Sequence, residues 1–334
     1  MSFEGYLNRN SKRMNKLVAD FFKTEASPDV IRYLYGPLAD YSANGGKRHR
    51  PLICELACQA VGGDPSLARS AAAAIEHFHT AALIHDDIAD ESTLRRGKPC
   101  MHLTQGEGLA INAGDLALSQ VTGLVVNDDK LEDGIKLRIL KELVDMTTRT
   151  IEGQALDIGW ARDGRFDLTI QDYLHMAACK TAYYSGGTPL AVGAIIGGGS
   201  EEEIEALRSF GMAAGLAFQI QDDILNLVGK PGTAKKDYRS DITEGKRTLI
   251  AVHAIQNSEQ SKELVTILSS HTTHITMLTI AVDIMQRAGS LDFARDYATG
   301  LVNNAKSELG QLLPASKSRD LLLSMADFFI SRMS

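Results

Sequence analysis

Two short acidic clusters carry most of the chemistry this sequence can do. The first, Asp86-Asp87-Ile-Ala-Asp90, follows the apolar run Ala81-Ala-Leu-Ile-His85. The second, Asp222-Asp223-Ile-Leu-Asn226, follows Phe218-Gln-Ile-Gln221. Side chains four apart on a helix share a face, so Asp86 and Asp90 point the same way. Like charges at that spacing repel, and bound cations turn the repulsion into affinity. Aspartate oxygens without nearby thiolates favour a hard ion such as Mg²⁺, which keeps several waters and uses its remaining positions on phosphates.

Basic groups sit in small motifs at loop positions. Gly45-Gly-Lys47-Arg48-His-Arg50-Pro51 places three cations just after a helix end, and Arg95-Arg96-Gly97 follows the first acidic cluster. Lys180-Thr181 and Gly245-Lys246-Arg-Thr248 are two more. Arginine forks match phosphate oxygens, while lysine is a mobile point charge. Each motif alone reads as solvated surface. Acids and bases together, in one order along one helical chain, read as polyphosphates held both through metal and directly.

The elements that position these residues are helices. Residues 2–23 form an amphipathic pattern, and Ser27-Pro28 gives an N-cap with proline at the first helical position. That helix stops at Asn44-Gly45-Gly46. Another runs from about Pro51 to Gly62-Gly63, and Asp64-Pro65 caps an alanine-rich helix that reaches Asp90. Further helical patterns cover about 107–126, 131–160, 169–197 and 201–227, with a kink or break at Gly186-Gly187-Thr-Pro189. Residues 228–246 read as a polar loop, and four or five shorter helices finish the chain.

The 334 residues are 44% hydrophobic and 23% charged, enough for a large core. No linker or composition break divides them, so one domain is expected, with a catalytic core over about 40–250 and C-terminal helices over 251–334. The net charge of −7 argues against nonspecific nucleic-acid binding. Cys54, Cys58, Cys100 and Cys179 have no zinc-knuckle spacing and read as buried reduced thiols. No basic start precedes an apolar stretch, and no uncharged apolar run reaches the ~20 residues that span a bilayer. A cytoplasmic protein is expected.

In order along the chain, these motifs resemble those of the trans-type isoprenyl diphosphate synthases, closest in pattern to the geranylgeranyl branch. Besides the two acidic clusters and Arg-Arg-Gly, the chain has Gly153-Gln154-Ala-Leu-Asp157, Lys180-Thr181, Gln219-Ile-Gln221 and Asp241-Ile-Thr-Glu-Gly245-Lys246. The resemblance implies an all-α, single-domain helical bundle around a deep central cavity. It implies head-to-tail condensation of isopentenyl diphosphate with an allylic diphosphate, and a homodimer. It would assign Asp86 and Asp90 to two Mg²⁺ and Asp222 to a third, supported by Asp87, Asp223 and Asn226. Lys47, Arg50, His79 and Arg96 match positions that grip isopentenyl diphosphate. Arg95, Lys180, Thr181, Gln219, Lys236 and Lys246 match those around the allylic substrate, with Gln154 and Asp157 at the cavity mouth or supporting Lys180.

The chain departs from the family pattern at three places. Asn226 replaces an acid, although an amide oxygen still ligates or holds a metal-bound water. His49 stands where leucine is common. Lys236 lies five residues before Asp241, where the family spacing of four falls on Asp237. His79, with His77 and His85 nearby, also reads as an ordinary core histidine when the resemblance is set aside.

The helix of the first cluster offers a ruler for the product. One helical turn is ~5.4 Å, about the reach of one isoprene unit. Small residues at Ala81 and Ala82, where fifteen-carbon synthases carry bulky aromatics, leave a passage open, and Phe78 one turn deeper is a candidate floor. A twenty-carbon product is expected, with twenty-five or longer open. The rivals are a class I terpene cyclase, which needs no second diphosphate grip, and a non-catalytic subunit, which would lack acids that this chain keeps.

Overall fold

The computed structural model describes residues 2–22, 25–228 and 239–331. Almost every described element is a helix; the strands among the described residues are the two-residue pairs Leu94–Arg95 and Lys98–Pro99. The helices assemble around Arg69–Ala89, here termed the first acidic helix. All of its residues from Ser70 to Ala81 are buried, the mark of a helix enclosed on every side. Four consecutive alanines, Ala71 to Ala74, allow that close surround. His49–Ala60 and Glu107–Val126 pack along it. By length and composition, Glu107–Val126 is the described helix apolar enough to cross a membrane, though it carries Asp115 at mid-length.

The second acidic helix is Glu201–Val228. Between it and Asp133–Arg162 runs a continuous helical rod over 170–196, α-helical at Ile170–Ala177 and Thr188–Ile196 and π-helical at Ala178–Gly187. The helix does not break at Gly186-Gly187-Thr-Pro189, where a kink or break is expected. Pro189 falls in the first turn of the Thr188–Ile196 segment, and the wider π turns end just before it. Glycines set the spacing of this layer. A Cβ at Gly186 would lie 2.0 Å from the Gly211 carbonyl oxygen, and one at Gly153 would lie 2.2 Å from the Lys180 amide nitrogen.

The ends of the chain close the bundle. Ser2 caps the Phe3–Asp20 helix, accepting from the Gly5 N–H, and the Phe3 N–H donates to Ser324 Oγ at 3.0 Å on the Lys317–Ser331 helix. Leu249–Asn257, Ser261–Ser269, Ile275–Arg287 and Ser290–Leu312 precede that last helix, so five helices follow the loop among the described residues, within the expected four or five. One hydrophobic core extends from Phe3 to Phe329.

Candidate active site

The first cluster forms as a helix runs out. The Asp90 N–H donates to the Asp86 carbonyl at 2.9 Å, closing the last turn. Asp87 is buried and accepts from Arg95 Nε at 2.6 Å and from the Tyr41 hydroxyl at 2.6 Å. Asp86 is partly exposed; it accepts from Arg95 Nη2 at 3.2 Å and from Gln154 Nε2 at 3.1 Å. Against the pull of burial, Asp87 and Asp86 raise the Arg95 guanidinium above its ordinary value, so it stays charged. Arg95 is aimed by the small hairpin. Arg96 and Gly97 both have positive φ (54° and 77°), the backbone of a two-residue hairpin turn.

The second cluster repeats this plan. Asp223 is buried and accepts from the Tyr173 hydroxyl and from Gln219 Nε2, each at 2.7 Å. Thr181 Oγ1 donates to Gln219 Oε1 at 2.7 Å. Burial pushes the Asp223 carboxyl up to about 7 over the opposing hydrogen bonds from Tyr173 and Gln219, and the Asp222 charge adds to the rise. In each cluster the middle acid is tied down by a tyrosine and a second donor, and its neighbour, Asp86 or Asp222, stays partly accessible. Asn226 joins the second acidic helix to Ser240–Thr243: its Nδ2 donates to Ser240 Oγ at 3.1 Å and its Oδ1 accepts the Asp241 N–H at 3.3 Å.

Two lysines bridge these parts. Lys180 and Lys246 both donate to Asp157 Oδ2, at 2.5 and 3.1 Å. Lys246 also donates to Asp90 Oδ1 at 2.9 Å, and Lys180 lies 3.8 Å from Asp86. Burial acts to raise the Asp157 carboxyl, yet the two ammonium groups outweigh it and hold the carboxyl below its ordinary value. Asp90 moves the other way, raised by burial and by the Asp86 charge. The dipeptide Lys180-Thr181 therefore reaches both clusters, the first through its lysine and the second through its threonine. Gly153 makes this possible by admitting the Lys180 backbone against the Asp133–Arg162 helix.

A separate group of cations lies at Lys47 to Arg50. Arg48 adopts a left-handed backbone (φ 52°) and turns inward, pairing with Glu76 at 2.7 Å and with the Ser42 carbonyl. It is a structural counter-ion, which the sequence did not separate from its neighbours. Arg50 is buried, donates to Ser185 Oγ at 2.8 Å and lies over the Tyr184 ring. Arg96 donates to the Gly45 carbonyl at 2.6 Å. Among the described residues, neither Arg50 nor Arg96 has a carboxylate partner. His79 faces the same group; burial and the charges of Arg50 and Arg96 hold its imidazole well below the ordinary value, so it is neutral. Lys47 is exposed, its Nζ 5.1 Å from the Phe328 ring centre.

Phe78 and Ala81 are buried on the first acidic helix, and Ala82 is partly buried beside them. Lys236 lies outside the described residues. Tyr41, Tyr173, Tyr184 and Ser185 are site-supporting residues that the motifs did not flag. Of these, Tyr184 and Ser185 follow Lys180-Thr181 closely, and Tyr41 lies four residues before Gly45.

No group of three or more His, Cys, Asp or Glu side chains among the described residues is placed to cage an ion unaided. The oxygen donors of Asp86, Asp90 and Asp222 suit Mg²⁺, which is bound through one or two carboxylates together with substrate phosphates.

The polyprenyl synthetase family profile matches residues 31–285. A short chain isoprenyl diphosphate synthase of Methanothermobacter thermautotrophicus is 41% identical over 290 residues, covering 86% of this chain and 87% of that one. A geranylfarnesyl diphosphate synthase of Natronomonas pharaonis is 36% identical, covering 86% of each. The solved geranylgeranyl pyrophosphate synthetase of Pyrococcus horikoshii superposes with a TM-score of 0.89 at 34% identity, covering 99% of this chain and 98% of that one. With all of its motifs held in one helical bundle, the chain is a prenyltransferase of the polyprenyl synthetase family, a trans-prenyl diphosphate synthase.

Proposed function

We propose that this single-domain enzyme condenses isopentenyl diphosphate with an allylic diphosphate and releases twenty-carbon geranylgeranyl diphosphate. One observation carries the reading. The cationic group of Arg50 and Arg96, beside neutral His79 and with no carboxylate ion-paired to either guanidinium among the described residues, is distinct from the acid-and-lysine site, so the chain offers two different diphosphate grips. A cyclase needs only one. The allylic C–O bond breaks with its electron pair going to the leaving pyrophosphate. The isopentenyl double bond supplies the new C–C bond, and a proton leaves, with the released pyrophosphate as its acceptor.

Asp86, Asp90 and Asp222 would hold three Mg²⁺, with Asp87, Asp223 and Asn226 supporting. Bound there, the ions neutralise charge growing on the leaving group. Lys180, Lys246 and Arg95 add fixed positive charge at the same place. Thr181, Gln219 and Gln154 orient the clusters, and Lys47, Arg50, His79 and Arg96 bind the isopentenyl diphosphate. Lys236 would join the allylic grip by the family pattern. The test is to incubate the purified protein with Mg²⁺, isopentenyl diphosphate and each allylic primer in turn and weigh the products. Volatile hydrocarbon from geranylgeranyl diphosphate alone would instead mean a cyclase, and turnover only with an added partner chain would mean a helper subunit.

Product length follows the first acidic helix. Phe78 lies two turns from Asp86 and closes edge-on against Tyr184 at 5.6 Å, which suits a floor beneath a passage lined by Ala81 and Ala82. Phe78→Ala should lengthen the product by at least one isoprene unit, and Ala82→Phe should shorten it to fifteen carbons or fewer. Chain lengths unchanged in both variants, read by mass spectrometry, would place the floor elsewhere.

The enzyme is a homodimer on this reading, and cytoplasmic, in keeping with its four buried free cysteines. Leu137, Val144, Ile151 and Ile158 repeat every seventh residue along one side of Asp133–Arg162 and are exposed, as is Ile111 on Glu107–Val126. A second copy would cover that stripe. Light scattering that gives the mass of one chain would reject it.

A further inference from the structure

Tyr184 stands where the cationic group meets the wall of the proposed product passage. The Arg50 guanidinium carbon lies 4.6 Å from its ring centre. His79 stacks on the same ring at 5.7 Å and 26°, and Phe78 meets it edge-on. The Tyr184 hydroxyl has no hydrogen bond among the described residues, so the ring is the part in use. Arg50 is 5% exposed, its Nε has no partner, and no carboxylate neutralises it. A buried guanidinium in that state is held by whatever fixes its plane. Here that is the face of Tyr184 together with the hydroxyl of Ser185.

The backbone explains how two successive residues reach one cation. Tyr184 and Ser185 lie in the π-helical segment, where a wider turn puts a smaller angle between neighbouring side chains than an α-helix does. Ring and hydroxyl thereby approach the same guanidinium.

We propose that Tyr184 is the positioning residue of the isopentenyl diphosphate grip, its aromatic face presetting Arg50 and His79 for the incoming diphosphate. The inference rests on the prenyl-transfer reading above. Tyr184 acts through Arg50 and His79, and its effect belongs to one substrate. Tyr184→Leu should raise KM for isopentenyl diphosphate about tenfold, about 1.4 kcal/mol. The allylic KM and kcat should stay within about twofold. Tyr184→Phe keeps the ring and should stay within about twofold of wild type in all three constants.

A general packing defect would not produce that split. An equal rise in both KM values, an unmoved Tyr184→Leu, or a Tyr184→Phe as impaired as Tyr184→Leu would each overturn the proposal. Calorimetric binding of isopentenyl diphosphate, run alongside thermal melts of each variant, extends the test to any variant with lowered stability. Wild-type protein that neither binds nor elongates the diphosphate would overturn the prenyl-transfer reading, and this proposal with it. Wild type that does both, beside an unchanged Tyr184→Leu, would overturn only the role of Tyr184.

Discussion

Asp86→Ala and Asp222→Ala should each lower prenyl-transfer turnover by about 10³-fold or more at saturating Mg²⁺. Both acids belong to clusters whose middle residue is already consumed internally: Asp87 by Arg95 and Tyr41, Asp223 by Tyr173 and Gln219. Neither can move across to replace the missing carboxylate without abandoning a buried hydrogen bond. Asp86 also receives Gln154 and one arm of Arg95, so its loss releases those donors. Both substituted side chains are partly exposed at the ends of long helices, and the far-ultraviolet circular dichroism should be unchanged. Product formation at more than about a tenth of the wild-type rate in both variants would remove the acids from the reaction.

Asp157→Asn should destabilise the folded chain by about 3 kcal/mol, the lower end for breaking a buried ion pair by removing one partner. Lys180 and Lys246 share one oxygen of Asp157, so a single substitution strips counter-charge from two ammonium groups. The lower end applies because Lys246 keeps Asp90 and Lys180 keeps Asp86 nearby. The melting temperature should fall by several degrees.

The pH dependence gives the sign. The Asp157 carboxyl is held below its ordinary value, so its contribution is complete above pH ~4 and fades as pH drops through the folded value. The two lysines are raised, burial notwithstanding, by Asp157 and their other acids. Their contribution is complete below pH ~10 and fades as pH climbs through the folded values. The gap between wild type and variant should be widest between those limits and narrow at both ends. A melting difference that is flat from pH 3 to pH 11 would show that the clamp is not electrostatic.

The helices and the acids were legible in the sequence because each is written locally. Glu107–Val126 begins and ends where the apolar pattern does, and Asn44 terminates its helix as read. What the pattern could not show was partnership across the fold. Nothing near Tyr41 or Tyr173 announces that each will anchor an aspartate 46 or 50 residues away. Arg48 and Arg50 look alike in a run of cations, and only Glu76 and the left-handed backbone at Arg48 separate structural counter-ion from free guanidinium. The Gly-Gly-Thr-Pro run reads as a break by local rules. The helix nevertheless runs on through it: Gly186 and Gly187 end the π segment in close contact with the second acidic helix, and Thr188 and Pro189 open the next α-helical stretch. Lys236 falls outside the described residues, and its role stays with the family pattern.

Backbone against backbone at Gly186 and Gly211 has a bearing on how the enzyme can breathe. Two helices with no side chain between them cannot slide or part by small rotamer changes, so their amide hydrogens should exchange slowly with deuterated solvent. The opposite edge is joined through side chains: Asn226 Nδ2 donates to Ser240 Oγ, Asn226 Oδ1 accepts the Asp241 N–H, and Arg239 Nε donates to the Leu227 carbonyl.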